Sequence, residues 1–113
     1  MLRIGKDGAV TSCAQTQGRP LGLEFAADGT LYVADAYRGL LAVNRTGQVT
    51  LLTDRTEDGN PVLYADDVDI AADGTVYFSD ASTRFGAQAV GGTLPASVLD
   101  LVEHSAKGRI LKY

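Results

Sequence analysis

Glu24-Phe25-Ala26-Ala27-Asp28-Gly29-Thr30-Leu31-Tyr32-Val33-Ala34-Asp35-Ala36 decides the fold, because it occurs twice. The second copy is Asp69-Ile70-Ala71-Ala72-Asp73-Gly74-Thr75-Val76-Tyr77-Phe78-Ser79-Asp80-Ala81, 45 residues on, with eight of thirteen positions identical. Most of the mismatches are physical equivalents: Glu24/Asp69, Phe25/Ile70, Leu31/Val76 and Val33/Phe78. Each copy is two apolar runs joined by Asp-Gly, a strong short-range hairpin signal. A repeat of this period suits one blade of a β-propeller.

Upstream, Ile4-Gly5-Lys6-Asp7-Gly8-Ala9-Val10-Thr11 reads as another hairpin and aligns with Val43–Thr50, so the chain opens part-way through a repeat. After the loop Gln17-Gly18-Arg19-Pro20-Leu21-Gly22, the first full unit predicts strands at about 22–26, 30–35, 39–44 and 48–53. Leu31 and Val33 face one way, Tyr32 and Ala34 the other. With both faces apolar, the sheet should be covered on both sides. A polar connector, Asp54–Pro61, leads to the second unit, with strands predicted at about 67–71 and 75–80. There the pattern breaks. Three residues separate Asp35 from Gly39, but 27 separate Asp80 from Gly108. The insert reads as a Gly-rich loop followed by a helix from Pro95 to His104. Val98, Leu99, Leu101 and Val102 give its apolar side, and Ser97-x-x-Asp100 resembles a capping box. Lys107–Tyr113 resumes the third strand.

The fold class is therefore all-β: a partial β-propeller of about two four-stranded antiparallel blades, roughly nine strands, with one short helix inserted in the second unit. Residues 1–14 form a half blade, 18–53 a complete blade, and 64–113 an incomplete blade with a helical insert at 82–107. A closed propeller takes four to eight blades. Bare blade faces and unpaired edges favour association, so the expectation is either a piece of a larger ring or a homo-oligomer through open blade edges. Three copies sharing one ring is one geometric arrangement.

Composition bounds the partners. The net charge is −4 over 113 residues and no basic patch appears, which disfavours nucleic acid. No apolar run approaches a membrane span, and Met1–Lys6 lacks the apolar core of a signal peptide, so the default compartment is cytoplasmic and no membrane is expected. The single Cys13 excludes an internal disulfide and reads as a small apolar side chain.

Gly18-Arg19-Pro20-Leu21-Gly22-Leu23, Asp28-Gly29-x-Leu31-Tyr32-Val33-Ala34-Asp35-Ala36-Tyr37-Arg38-Gly39-Leu40, Asp67-Val68-Asp69, Val76-Tyr77-Phe78-Ser79-Asp80-Ala81-Ser82 and Gly108-Arg109-Ile110-Leu111-Lys112-Tyr113 follow one another in the chain. Together they resemble strictosidine-synthase-like proteins, from about Gly18 to Tyr113. The resemblance implies the early blades of a six-bladed propeller related to gluconolactonase and paraoxonase lactonases. Members are Pictet–Spengler synthases in some plants and more often hydrolase-like elsewhere. The synthase's catalytic glutamate belongs to a late blade, and nothing in this sequence corresponds to it.

The best candidate for chemistry is Asp66-Asp67-Val68-Asp69. In the family the matching segment usually reads Asn-Asp-Val-Asp, with Asp66 in the Asn place, and in the lactonase relatives such residues bind a divalent cation in the central channel. Hard cations such as Ca²⁺ take clustered carboxylate and carbonyl oxygens. Alternation sets Asp67 and Asp69 on one side of the strand and Asp66 on the other, so a site would use Asp66 or Asp67. Asp69 and Arg19 are candidates for the channel mouth, Arg19 for an anionic substrate or as an inter-blade hydrogen-bond donor. Asp28, Asp35, Asp73 and Asp80 recur in both units and read as structural turn anchors. His104 with Ser82, Ser97 or Ser105 could formally make a triad, but no Gly-x-Ser-x-Gly elbow supports it. His104 reads instead as a helix C-terminal residue, and Asn44-Arg45-Thr46 as a turn. Three functional readings stand: a fragment or self-assembling version of a strictosidine-synthase-like or lactonase-like propeller, not catalytic as a monomer; a metal-dependent lactone or ester hydrolase once a ring is completed; and a non-catalytic module binding a small molecule or a protein.

Overall fold

The computed structural model describes every residue except Ser105. The described residues form nine strands and one helix: β1 Leu2–Ile4, β2 Val10–Ser12, β3 Pro20–Phe25, β4 Leu31–Asp35, β5 Gly39–Val43, β6 Val49–Thr53, β7 Ala65–Ile70, β8 Val76–Asp80, α1 Thr93–Glu103 and β9 Arg109–Lys112. They build three antiparallel sheets, ordered β1-β2, β3-β4-β5-β6 and β7-β8-β9.

The sequence alternation sorts the core. Tyr32, Ala34, Leu40 and Leu52 of the four-stranded sheet meet Ala65, Val68, Val76 and Phe78 of the three-stranded one. The opposite face, with Val33, Leu41 and Val43, is covered by Ala14, Cys13 and Met1 beside the first hairpin. The first unit is thus sandwiched on both faces. Cys13 is half-buried in this second cluster. The three-stranded sheet is covered on one face only, and Tyr77 and Ile110 stand exposed on the other, Ile110 opposite Ser79.

The two units share an irregularity that periodicity does not show. Pro20 pairs with Asp35 but Gly22 with Ala34, and Ala65 pairs with Asp80 but Val68 with Phe78. Each innermost strand therefore carries a bulge, with Leu21 and Asp66 at equivalent places. The two bulged strands lie against one another. A Cβ on Gly22 would sit 2.6 Å from the Asp67 Cα and 2.8 Å from the Asp66 carbonyl oxygen. Only glycine lets the backbones of neighbouring sheets approach this closely.

Three expectations are corrected. Asp35 pairs with Gly39, whereas Asp80 pairs with Arg109. The third strand of the second unit is thus shifted by one residue, and Arg109, not Gly108, is the counterpart of Gly39. Gly39 has φ 94°, and a Cβ there would meet the Thr53 carbonyl at 2.4 Å. The helix also starts earlier than Pro95, with Gly92 as an N-cap that supplies no side-chain bond. Ser97 consequently lies within the helix and returns its hydroxyl to the Thr93 carbonyl, four residues back, at 2.9 Å. The capping box does not form. The helix is also turned over: Ala96 is its one buried residue, and Val98, Leu99, Leu101 and Val102 face out.

Gly22→Ala should cost about 2–3 kcal/mol in urea unfolding, the usual scale for forcing extra volume against fixed backbone. A loss below about 0.5 kcal/mol would show that the two inner strands can separate freely.

Candidate functional site

The candidate site lies where the innermost strands begin. In the first unit Asp35, fully buried, ends β4 and turns its Oδ1 to three backbone N–H groups: Arg19 at 2.8 Å, Tyr37 at 3.0 Å and Arg38 at 3.2 Å. In the second, Asp80, also fully buried, accepts the Tyr64 N–H at 2.8 Å. Arg19 and Tyr64 are equivalent at the 45-residue offset, so each carboxylate captures the loop that enters its inner strand. Local backbone capture is what a short acidic side chain at a strand end does well.

The other carboxylate oxygen divides the units. Asp80 Oδ2 takes the Arg109 guanidinium, with Nε and Nη2 each at 3.0 Å, and Arg109 continues to the Pro61 carbonyl at 2.7 Å. Asp35 Oδ2 is buried and has no hydrogen-bond partner among the described residues. The shifted third strand explains this, since Gly39 occupies the place of Arg109 and brings no side chain. Arg38, one residue earlier, reaches the Thr16 carbonyl, which is the counterpart of the Pro61 carbonyl. The entry loop is tied down in both units, but only one carboxylate gains a cation.

Asp66, Asp67 and Asp69 are exposed. The bulge sets both Asp66 and Asp67 opposite Ser79, whose hydroxyl accepts the Asp67 N–H at 3.0 Å. Asp67 Oδ1 accepts the Val68 N–H and Asp69 Oδ1 the Ile70 N–H, each at 2.9 Å. Asp67 and Asp69 line a shallow cavity of about 230 Å³ with Tyr77, Ser79 and Ile110. Asp66 lines a separate one of about 430 Å³ with Asp80 and Arg109. Among the described residues, no group of three or more His, Cys, Asp or Glu side chains is placed to hold a metal ion. Arg19 is exposed, and its guanidinium makes no hydrogen bond among the described residues; the backbone of Arg19 does the tying, with its carbonyl accepting the Ala36 N–H at 2.8 Å.

Asp28 and Asp73 cap the hairpin turns, accepting the N–H of Thr30 at 2.8 Å and of Thr75 at 2.9 Å. These bonds hold both carboxyls below the usual range: the backbone N–H contributes most, the Thr30 or Thr75 hydroxyl next. The formal triad does not assemble. Ser82 donates to Asp100 Oδ1 at 2.9 Å, Ser97 meets the Tyr64 hydroxyl at 3.0 Å, and Ser105 lies outside the described residues. His104 is the left-handed C-cap of α1, with φ 58°. Sequence reasoning missed Arg109 and Tyr64. Arg109 could have been found by asking which cation serves a buried Asp that recurs.

Two sequence relatives fix the kinship. Over 97 residues the chain is 38% identical to a strictosidine synthase-like protein of Arabidopsis thaliana, covering 85% of this chain and 22% of that one. Over 120 residues it is 41% identical to the adipocyte plasma membrane-associated protein of Salmo salar, covering all of this chain and 27% of that one. The chain is homologous to part of the strictosidine-synthase-like proteins. It spans about a quarter of the length of the relatives it matches. A solved gluconolactonase from Xanthomonas campestris shares the fold, with a TM-score of 0.67 and 25% identity over 77% of this chain and 29% of that one. No family model matches the chain. The chain is thus a partial propeller, and the buried Asp–backbone ties hold its two entry loops in place.

Asp80→Asn should cost about 3 kcal/mol in chemical denaturation, because it strands the Arg109 charge. Asp35→Asn should cost about 1 kcal/mol or less, since it removes a buried charge that lacks a cation. Equal losses would contradict the asymmetry. The turn carboxyls predict acid sensitivity. Their folded pKa values are depressed below that of an ordinary aspartate. Their contribution is therefore complete above that value and lost as pH falls through the lowered folded values. Thermal unfolding between pH 5 and 2 should show a flatter acid limb for the Asp28→Asn/Asp73→Asn double variant than for the wild type.

Proposed function

We propose that this chain is a wall element of a strictosidine-synthase-like propeller, two adjoining blades that present Asp66 and Asp67 at a channel mouth and that do not catalyse alone. The observation that carries this reading is the paired bulge. It brings the inner strands of both units together at Gly22 and leaves Asp66 and Asp67 exposed beside the seam. A hard cation takes six to eight oxygens, and because Asp66 and Asp67 line separate cavities, the one carboxylate facing the ion would supply at most two of them. The remaining donors would come from other blades, in the same chain or in another copy. A divalent cation held there would polarise a lactone or ester carbonyl or activate water. The residues of this chain would contribute charge and position, with Arg109 keeping the Asp80 end of the entry loop in place. Association through an open face accords with the same reading: Tyr77 and Ile110 are exposed on the bare face of the three-stranded sheet.

The test separates species by size and assays each with a small lactone and an aryl ester, with and without millimolar Ca²⁺. The monomer should show no metal-dependent turnover and no thermal stabilisation by Ca²⁺. Any metal-dependent activity should appear only in a ring-completed species and fall at least tenfold with Asp66→Asn or Asp67→Asn. Metal-dependent turnover by a monodisperse monomer would sink the proposal.

A further inference from the structure

The helix α1 is built the wrong way round for a surface helix of an isolated domain. Its polar side chains face the body: Ser97 meets Tyr64, Asp100 meets Ser82, and Glu103 pairs with Arg84. Its outward side carries Leu94, Val98, Leu101 and Val102, which are 73%, 50%, 74% and 78% exposed. The spacing 94, 98, 101, 102 is one continuous stripe of a 3.6-residue helix. The stripe holds no charge, and neither the first nor the last turn has an acidic or basic residue, respectively, to complement the dipole.

We propose that this stripe is an interface with a second copy of the chain, formed by two α1 helices packed antiparallel about a two-fold axis near Val98. None of the stripe residues lines the cavities at Asp66 and Asp67, and the proposal does not depend on chemistry there. Charge favours this occupant. A helix that settles on an anionic bilayer is rich in Lys and Arg on its polar face, whereas the polar side of α1 offers Ser97, Asp100 and Glu103 on a chain of net charge −4. Two copies of an acidic chain meet without repulsion only through a face free of like charge, and here the acids point inward to Ser82 and Arg84. Area is also adequate: covering both stripes would remove about 1,000 Å² in all, the scale of a weak, reversible interface. Val98 is the midpoint of Thr93–Glu103. The two-fold therefore sets Val98 against its own mate and Leu94 against Val102 of the other copy.

Sedimentation velocity over a concentration series should show a reversible dimer that the Leu94→Gln/Leu101→Gln double variant weakens at least tenfold while its circular dichroism stays unchanged. In a Cys13→Ser background, Val98→Cys should form a disulfide with itself under mild oxidation. Leu94→Cys should cross-link to Val102→Cys when the two are mixed, and poorly to itself. Three outcomes would overturn the proposal. One is a monomer at every concentration. Another is a dimer indifferent to the helix variants but abolished by Ile110→Lys on the bare sheet face. The third is a monomer that binds phosphatidylcholine vesicles and loses that binding in the Leu94→Gln/Leu101→Gln variant.

Discussion

The approach of the Gly22 backbone to Asp66–Val68 is the constraint on which the remaining architecture depends. Two twisted sheets can stack face to face only if their innermost strands come together at one end, where the ring is narrowest. A side chain at position 22 would hold them apart, because its Cβ would fall within 3 Å of three backbone atoms. Once the strands meet, Ala34 and Leu40 can close on Val68 and Phe78, and the main core forms between the sheets. The bulges follow from the same demand. Each bends its strand where the entry loop arrives, and each re-aims the residue beside it.

Position 22 is glycine and its counterpart, position 67, is aspartate. Gly22 lies against the next sheet, where a Cβ would meet the backbone of Asp66–Val68, while Asp67 turns its Oδ1 to the Val68 N–H. The same comparison separates scaffold from specialisation at Asp35 and Asp80. Both capture an entry loop through backbone N–H groups, and only the second engages a guanidinium.

Much of this was legible in the sequence. The duplicated Ala-Ala-Asp-Gly-Thr hairpin specified antiparallel blades, and two-sided apolar strands specified stacking, since both rest on local pattern. The partial propeller follows from them, and its kinship is borne out by the relatives. What failed to show were features that depend on partners distant in sequence. Bulges are set by cross-strand register, which alternation within one strand does not report. Arg109 and Asp80 meet across 29 positions, and the one-residue slip that makes Arg109 the partner is invisible when Gly39 is aligned with Gly108. Ser97 and Asp100 have capping-box spacing, yet the helix begins at Thr93, so Ser97 is too deep inside it to cap.

The helix inverts a rule that sequence reading relies upon. An apolar stripe is ordinarily assigned to the core, because burying it is the main source of helix stability in proteins. Here the underlying surface offers Tyr64 and Ser82, whose polar atoms need partners once covered. Ser97 and Asp100 supply them, and the small Ala96 is the residue that fits beneath. Directional bonds thus fix which way α1 faces, and the apolar stripe is left outward as a consequence. The repeats account for the scaffold. What distinguishes this chain from its own internal duplicate is concentrated in an insert anchored by polar contacts, with its most apolar surface turned to the outside.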